Sequence, residues 1–111
     1  MTHTNPTKSV QFSFHASEQI AIRFVQFGLS ESIINRIVTG KVDKNGLNSG
    51  EYLIRVATSK VKISLPDGSN GDTVLAAIKV NQTGIVVKTV MLRRSSQITR
   101  LGNQHHDQPI I

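Results

Sequence analysis

Four residues of this chain have the side-chain types that metal-free cleavage of RNA requires: His15, Arg23, Thr89 and Arg93. That reaction needs a base for the ribose 2′-hydroxyl, an acid for the leaving group, and cationic or hydroxyl groups around one phosphate. His15 is expected at a helix start directly after a strand, where its imidazole could act as a general base toward the ribose 2′-hydroxyl. Arg23 and Arg93 can then neutralise the phosphate while Thr89 orients it.

Three of these residues also have an ordinary structural interpretation. His15 can cap its helix or pack at its edge, and Arg23 can be a solvated residue on the helix surface. Thr89 suits the middle of a strand because it is β-branched. An α-helix would place His15 and Arg23 about 12 Å apart along its axis and roughly 80° apart around it, so that both can border one cleft without touching. Both interpretations stay open.

The sequence predicts no metal site and no cofactor. The adjacent residues His105, His106 and Asp107 are the one cluster of ligand types, and neighbouring histidines in a polar segment rarely converge on one ion. The absence of cysteine excludes disulfides, thiolate metal sites and cysteine nucleophiles. No glycine-rich phosphate loop lies between a strand and a helix.

Charge is the strongest compositional signal. The 111 residues fit one domain, and 38% of them are hydrophobic, which supports a modest core. Thirteen Lys and Arg residues against seven acidic ones give a net charge of +6. A small domain this basic commonly meets nucleic acid, an anionic membrane surface or an acidic protein, although a charge of ~2–8 is also ordinary for a soluble domain.

Five bases are candidate contacts to nucleic acid: Lys60, Lys62, Lys88, Arg94 and Arg100. Lys60 and Lys62 alternate with Val61 and Ile63, so both are expected on one side of a strand, where a solvated sheet face is an equal alternative. No acid lies between Ile85 and Arg100, which concentrates the positive charge there. One Tyr and no Trp disfavour an RNA reader built on sheet aromatics.

Hydrophobic periodicity predicts an α+β fold, with an N-terminal strand and two short helices packed on a four- to five-stranded antiparallel β-sheet. Ser13 and Ser30 are expected to cap the two helices, and Gly28 and Gly40 to end them. The apolar positions of the first helix are expected to form one stripe of Ile20, Ala21, Phe24, Phe27 and Gly28. The predicted strands, joined by hairpins that include a turn at Thr58-Ser59, are Ser9–Phe14, Glu51–Ala57, Lys60–Leu65, Thr73–Val80 and Ile85–Arg93.

The expected organisation is a flexible lead-in over residues 1–8, a single domain over residues 9–94 and a C-terminal tail over residues 95–111 that is partly disordered. Whether the tail adds a strand stays open. In the last predicted strand, alternation places five residues on one face: Ile85, Val87, Thr89, Met91 and Arg93.

A short pattern links several of these positions: His15-Ala16, Arg23, Gly28-Leu29-Ser30, Gly40 and the strand Ile85–Val90. It resembles the small bacterial His-Ala…Arg…Gly-Ile/Leu-Ser domains grouped with the barnase–EndoU–colicin–RelE (BECR) superfamily. The resemblance implies helices packed on an antiparallel sheet and a metal-independent ribonuclease toxin that cuts tRNA or mRNA, with an acidic antitoxin or immunity protein as partner. His15, Arg23 and Thr89 match the family's candidate active-site positions.

The chain departs from that pattern in two places. Gln19 stands where the family usually has another Arg, and four residues separate Arg23 from Gly28 where the family often has none. One extra helical turn explains the second departure. The first removes one expected phosphate ligand and favours a binding role over catalysis.

The prediction from sequence is a toxin-like, metal-independent endoribonuclease that cleaves tRNA or mRNA by attack of the 2′-hydroxyl on the adjacent phosphate. It would act in the cytoplasm, whether made there or delivered as the C-terminal domain of a secreted effector. No apolar run approaches the ~18 residues of a membrane span. The alternatives are a non-catalytic basic module that binds nucleic acid or an acidic protein, and a small inhibitor of a host nucleic-acid enzyme.

Overall fold

The computed structural model describes residues 9–96, 104–105 and 108–111, with the backbone alone at Lys60 and at residues 104–105 and 108–109. The α+β class is confirmed. One π-helical turn and one 3-10 turn, Ile20–Phe24 and Val25–Phe27, lie between the two α-helices. The helices and strands follow in the order β1 (Ser9–Phe12), α1 (Phe14–Gln19), α2 (Glu31–Asn45), β2 (Gly50–Ser64), β3 (Asn70–Val80), β4 (Gly84–Arg93), β5 (Gln104–His105) and β6 (Gln108–Pro109).

The main sheet has the strand order β1-β4-β3-β2 and is mixed. Strands β2, β3 and β4 form the predicted antiparallel meander. β1 instead pairs parallel with β4, with Ser9 opposite Gly84 and Phe12 opposite Val87. A parallel pairing requires a long crossover between the strands, and the two helices that follow β1 belong to that connection.

The predicted hairpin at Thr58-Ser59 is wrong, because one strand, β2, continues through it. Thr58 pairs with Thr73 and Ile63 pairs with Gly71, so the four residues between Thr58 and Ile63 face a single residue of β3. We call these four residues, Ser59–Lys62, the β2 bulge. Two-residue hairpins favour Gly, Asn or Asp at the turn, and Thr58-Ser59 has none of them.

Both helix caps form as predicted. The Ser13 hydroxyl accepts from the amide of Ala16 at 3.0 Å, and the Ser30 hydroxyl accepts from the amide of Ile33 at 3.3 Å. The predicted end of the second helix at Gly40 is wrong. α2 continues to Asn45, because its buried face extends to Val42, and it ends at Gly46 with a left-handed φ of 56°.

The predicted apolar stripe of the first helix holds only in part. Ile20 and Phe24 are buried, whereas Ala21 is exposed and the Phe27 side chain is 43% exposed. The helix widens into a π turn after α1 and tightens into a 3-10 turn after Phe24. Each change in the number of residues per turn shifts the angular positions that follow, so Phe27 leaves the core side.

The helices cover one face of the sheet, and the main core lies between them. Its largest fully buried side chains include Phe24 and Ile34 from the helices and Ile54, Ile78 and Val87 from the sheet. A second, smaller core occupies the opposite face, which we call the second face. It consists of Leu53, Leu75 and Ala77, with Met91 and Ile110 packed against them.

The described end of the tail lies beside β2. Ile110 forms a parallel bridge with Leu53, and Ile111 accepts from the amide of Arg55 at 2.9 Å. The Lys41 ammonium, on α2, donates to the main-chain oxygens of Arg55 and Ile111 at 2.7 and 3.2 Å. Burial, followed by the charges of Arg55 and Lys44, lowers the pKa of Lys41. The tail therefore extends the sheet at its β2 edge, and the predicted disorder of residues 97–103 and 106–107 falls outside the described residues.

Candidate functional site

A bulge in β4 separates residues that alternation placed on one face. Ala77 pairs with Thr89 and Ile78 pairs with Val87, which leaves Lys88 as an extra residue. Residues directly opposite each other in a sheet share a face, so Thr89 lies beside Ala77 on the second face while Val87 belongs to the main core. The predicted common face of β4 is therefore wrong beyond Val87.

The four candidate catalytic residues do not meet on one face. His15 lies in the first turn of α1 and Arg23 in the π turn, both in the helical layer. Thr89 and Arg93 pair with Ala77 and Thr73, which places them on the second face. The sheet thus lies between the two pairs.

His15 is the most accessible of the four. Its side chain is exposed and makes no hydrogen bond or ion pair with any residue that the structure describes. The turn that carries it is fixed to the β4 bulge, because the Ser13 amide donates to Val87 O at 3.0 Å and the Ser13 hydroxyl donates to Lys88 O at 2.8 Å. His15 thus lies beside the edge of β4 that β1 leaves uncovered beyond Val87.

The Arg23 side chain is engaged in contacts within the protein. Its Nη1 donates to Gln19 Oε1 at 2.9 Å, and its guanidinium carbon lies 5.5 Å from the centroid of the Phe24 ring. Its Nε lies 3.3 Å from Asp67 Oδ2 but is buried and forms no hydrogen bond with the described residues, so this contact is an ion pair without an aligned N–H. Gln19, at the position where the resembling family usually has Arg, orients Arg23 instead of adding a second cation.

Two further contacts join the start of β3 to the residues that follow β4. Arg94 donates from Nε and Nη2 to Asn70 Oδ1 at 3.0 and 2.7 Å. The Asp72 carboxylate accepts from the amide and the hydroxyl of Ser95 at 2.7 and 2.8 Å, and these bonds lower the pKa of Asp72. Hydrogen bonds from Ser69, followed by the charge of Arg23, lower the pKa of Asp67 in the same way.

The strand register brings most of the predicted nucleic-acid contacts to one end of the sheet. Thr58, Thr73 and Arg93 stand at the same level of β2, β3 and β4. We call this region the basic end. It comprises the β2 bulge, the β2–β3 connection, the start of β3 with Asp72, the end of β4 with the following Arg94, and Arg23, which reaches Asp67. It contains five bases and two acids: Arg23, Lys60, Lys62, Arg93 and Arg94, with Asp67 and Asp72.

The cationic side chains at the basic end differ in their exposure and in their hydrogen bonds. Lys62 is exposed and has no hydrogen bond or ion pair within the described part of the chain. Arg93 is half-buried, and its Nη1 donates to the carbonyl of Leu92 at 2.9 Å. Arg94 is exposed although it binds Asn70. Lys60 belongs to this region by its backbone position.

One predicted contact lies elsewhere. Lys88 forms an ion pair with Glu51, beside Lys79, at the opposite end of the second face, and the hydrogen bond from Lys88 lowers the pKa of Glu51. Arg100 lies outside the described residues. Lys88 therefore does not belong to the basic end.

A groove that was not predicted from the sequence opens beside the β2 bulge. It has a volume of about 280 Å³ and is mostly apolar; its lining comprises Phe27, Leu29, Ala57, Thr58, Ser59, Ile63, Asp72 and Val74. The 3-10 turn and the β2 bulge create it, and neither irregularity follows from hydrophobic periodicity. No sequence signal pointed to the groove, because periodicity placed the ring of Phe27 in the core, whereas the structure leaves it 43% exposed.

Among the residues that the structure describes, no three His, Cys, Asp or Glu side chains group as metal ligands, and His106 and Asp107 lie outside this set. Over the same residues, no helix combines the length and the apolar character that crossing a bilayer requires.

Comparison of the chain with protein-family models, curated proteins and solved structures finds no match. The resemblance to the ribonuclease-toxin superfamily therefore stays a prediction.

Proposed function

We propose that this protein binds single-stranded RNA through the basic end. The observation that carries the proposal is the strand register, which gathers Lys62, Arg93 and Arg94 around a protruding bulge. Phosphate contacts from Lys and Arg supply most of the affinity for nucleic acid and do not require deprotonation, a metal ion or a defined cleft. Geometry thus supports binding more strongly than catalysis, because the candidate catalytic groups lie on opposite sides of the sheet.

The test compares two double variants with the same loss of charge. Lys62→Ala/Arg93→Ala removes two cations from the basic end, and Arg36→Ala/Lys44→Ala removes two exposed cations from α2. Affinity for a short fluorescein-labelled RNA is measured by anisotropy between about 50 and 200 mM salt. We expect only the first variant to weaken binding and to reduce the slope of log K against log salt by about 1.4, since each single-strand phosphate contact contributes about 0.7.

Equal behaviour of the two double variants would mean that net charge alone attracts the RNA. Failure of the folded wild-type protein to bind RNA at low salt would reject the proposal. In that case the basic end would be assigned to an acidic protein. Whether or not the protein binds RNA, we propose an acidic antitoxin or immunity protein as its protein partner, because the negative charge of such a partner complements the basic end.

The second candidate function is metal-independent cleavage of RNA at His15. The observation that favours it is the exposed imidazole, which makes no hydrogen bond or ion pair with the described residues. An imidazole in this position can reach a bound 2′-hydroxyl as a general base. With tRNA or mRNA as substrate, the site of action would be the cytoplasm, and delivery as the C-terminal domain of a secreted effector would fit the same activity.

Digestion of tRNA in EDTA by the wild type and by His15→Ala tests this second function. We expect discrete fragments from the wild type and intact tRNA with the variant, whose thermal unfolding should match that of the wild type because His15 is exposed. Intact tRNA with folded wild-type protein would reject cleavage while leaving RNA binding in place. An inhibitor of a host nucleic-acid enzyme would bind that enzyme instead and leave RNA intact.

A further inference from the structure

We infer that the groove beside the β2 bulge holds one unpaired nucleobase of the bound RNA. This inference rests on the proposed RNA binding and adds a base site to the phosphate contacts of the basic end. Small-molecule pockets span about 300–1,000 Å³, so a groove of about 280 Å³ fits a single ring system rather than a larger ligand.

The lining has the composition that an unstacked base requires. Phe27 supplies an aromatic ring that is 43% exposed, and Leu29, Ile63 and Val74 supply apolar contacts. Bases of single-stranded nucleic acids stack on such rings, and this stacking tolerates any base because every base has a π face. Exposed aromatic rings are scarce in this chain, and Phe27 is placed to stack on the base.

Polar groups at the groove can meet the edge of the base. The hydroxyls of Thr58 and Ser59 line it, and Ser59 already accepts from the Val61 amide at 3.1 Å while its own proton stays available. Asp72 Oδ2 accepts from the Ser95 hydroxyl at 2.8 Å, which leaves room for one further N–H donor. A base offers both acceptors and N–H donors along this edge.

Charge supports a nucleotide as the occupant in preference to an apolar ligand. Lys62 stands next to Ile63 of the lining, and Arg94 precedes Ser95, which binds Asp72 of the lining. Phosphates on either side of the inserted base would therefore lie near cations. An uncharged apolar ligand would make no use of these flanking bases.

Two conservative variants test the inference. Phe27→Leu keeps an apolar side chain and removes the ring, and Phe14→Leu does the same at the exposed start of α1. Anisotropy with short RNA is expected to show a loss of affinity of about 5- to 150-fold for Phe27→Leu, the range typical of one stacked base. Phe14→Leu should bind as the wild type does, and the salt dependence of both variants should equal that of the wild type because no phosphate contact changes.

A substitution in the RNA removes any dependence on protein stability. One nucleotide at a time is made abasic, and affinity is measured with the wild type and with Phe27→Leu. At one position the abasic change should weaken the wild type by a similar factor and leave Phe27→Leu unchanged, which is the coupling expected for a direct contact. Wild-type RNA binding with no such coupling would overturn the base site and keep the proposed function, whereas no wild-type RNA binding would reject both.

A protein partner in the groove would give a different pattern. Phe27→Leu would then lose affinity for an Asp- and Glu-rich peptide that carries one Leu, while its affinity for RNA would match that of the wild type. That result would overturn the inference and assign the groove to the acidic protein.

Discussion

Arg23 and Asp67 show how a cation suited to bind phosphate can be used within the protein. The carboxylate lies 3.3 Å from Arg23 Nε, and Gln19 accepts from the same guanidinium at 2.9 Å. These contacts connect the π turn to the β2–β3 connection, so that Arg23 has a structural role whether or not it also meets RNA. The sequence identified Arg23 as a candidate phosphate ligand. It could not reveal the ion pair with Asp67, because Asp67 is 44 positions away in the chain.

Asp72 makes the pH dependence of stability testable at one residue. Its pKa is lowered in the folded protein by hydrogen bonds from Ser95, so the unfolded chain binds more protons as the pH falls. The contribution of Asp72 to the free energy of unfolding is present above its unfolded-state pKa of about 3.9. It is lost as the pH falls through the lower pKa of the folded state. We expect Asp72→Asn to lower the urea midpoint at pH 7 and to differ less from the wild type below about pH 4.

The control for this prediction is Asp43→Asn on α2, whose exposed side chain has no hydrogen bond or ion pair to the described residues. Its urea midpoint should stay close to that of the wild type throughout. A constant difference between Asp72→Asn and the wild type from pH 7 to acid would contradict the assigned role of the Ser95 hydrogen bonds.

At the level of elements, α2 offers a test of where a helix ends. Gly40 lies inside α2, and a Cβ added there would meet nothing within 4 Å. Gly40→Ala should therefore raise the free energy of unfolding by about 0.5–1 kcal/mol, because Gly is a poor helix former. Gly46 has a φ of 56°, so Gly46→Ala should lower it by about 1–2 kcal/mol. Urea denaturation measures both, and a destabilising Gly40→Ala would place the helix end where the sequence predicted it.

The elements also show what sequence patterning can predict. Strand periodicity identified β3 and β4 within a few residues, and the two helix caps followed from Ser13 and Ser30. The bulges in β2 and β4 are set by pairing with β3, so no local pattern reveals them. The β4 bulge turns Thr89 and Arg93 to the second face, away from the helical layer that carries His15 and Arg23.

The positive charge of the candidate site was easier to predict than its shape. Lys60, Lys62 and Arg94 were identified from the sequence because charge is visible residue by residue. These three residues come together because Thr58 pairs with Thr73 and Thr73 pairs with Arg93. Hydrophobic alternation predicts which face a residue occupies but not which residues of neighbouring strands pair. The groove could not be predicted, since it needs both the 3-10 turn at Phe27 and the β2 bulge.

At the scale of the whole molecule, the sheet has cores on both faces, and the end of the tail contributes to the smaller one. Ile110 packs against Leu53, and Ile111 bonds to both Leu53 and Arg55. We expect Ile110→Ala to lower the free energy of unfolding by about 1–2 kcal/mol, because a half-buried side chain loses part of its apolar contact. Hydrogen exchange at the Arg55 amide, which donates to Ile111, should accelerate in the same variant.

Val61→Ala is the control, since Val61 lies on the β2 bulge and is 72% exposed. Surface substitutions of this kind usually change stability by less than about 0.5 kcal/mol. An unchanged urea midpoint together with unchanged Arg55 exchange in Ile110→Ala would show that the tail does not support the second core.

The position of β4 between β1 and β3 has a consequence for how the chain folds. Ser9 pairs with Gly84, and Ser13 bonds to Lys88 across 75 positions of sequence. Such long-range pairing slows folding, because the entropy of closing the loop is lost before the contact forms. During synthesis, β1 therefore has no strand partner until β4 has emerged, and the contacts of α1 with β4 form only after nearly the whole described domain has been made.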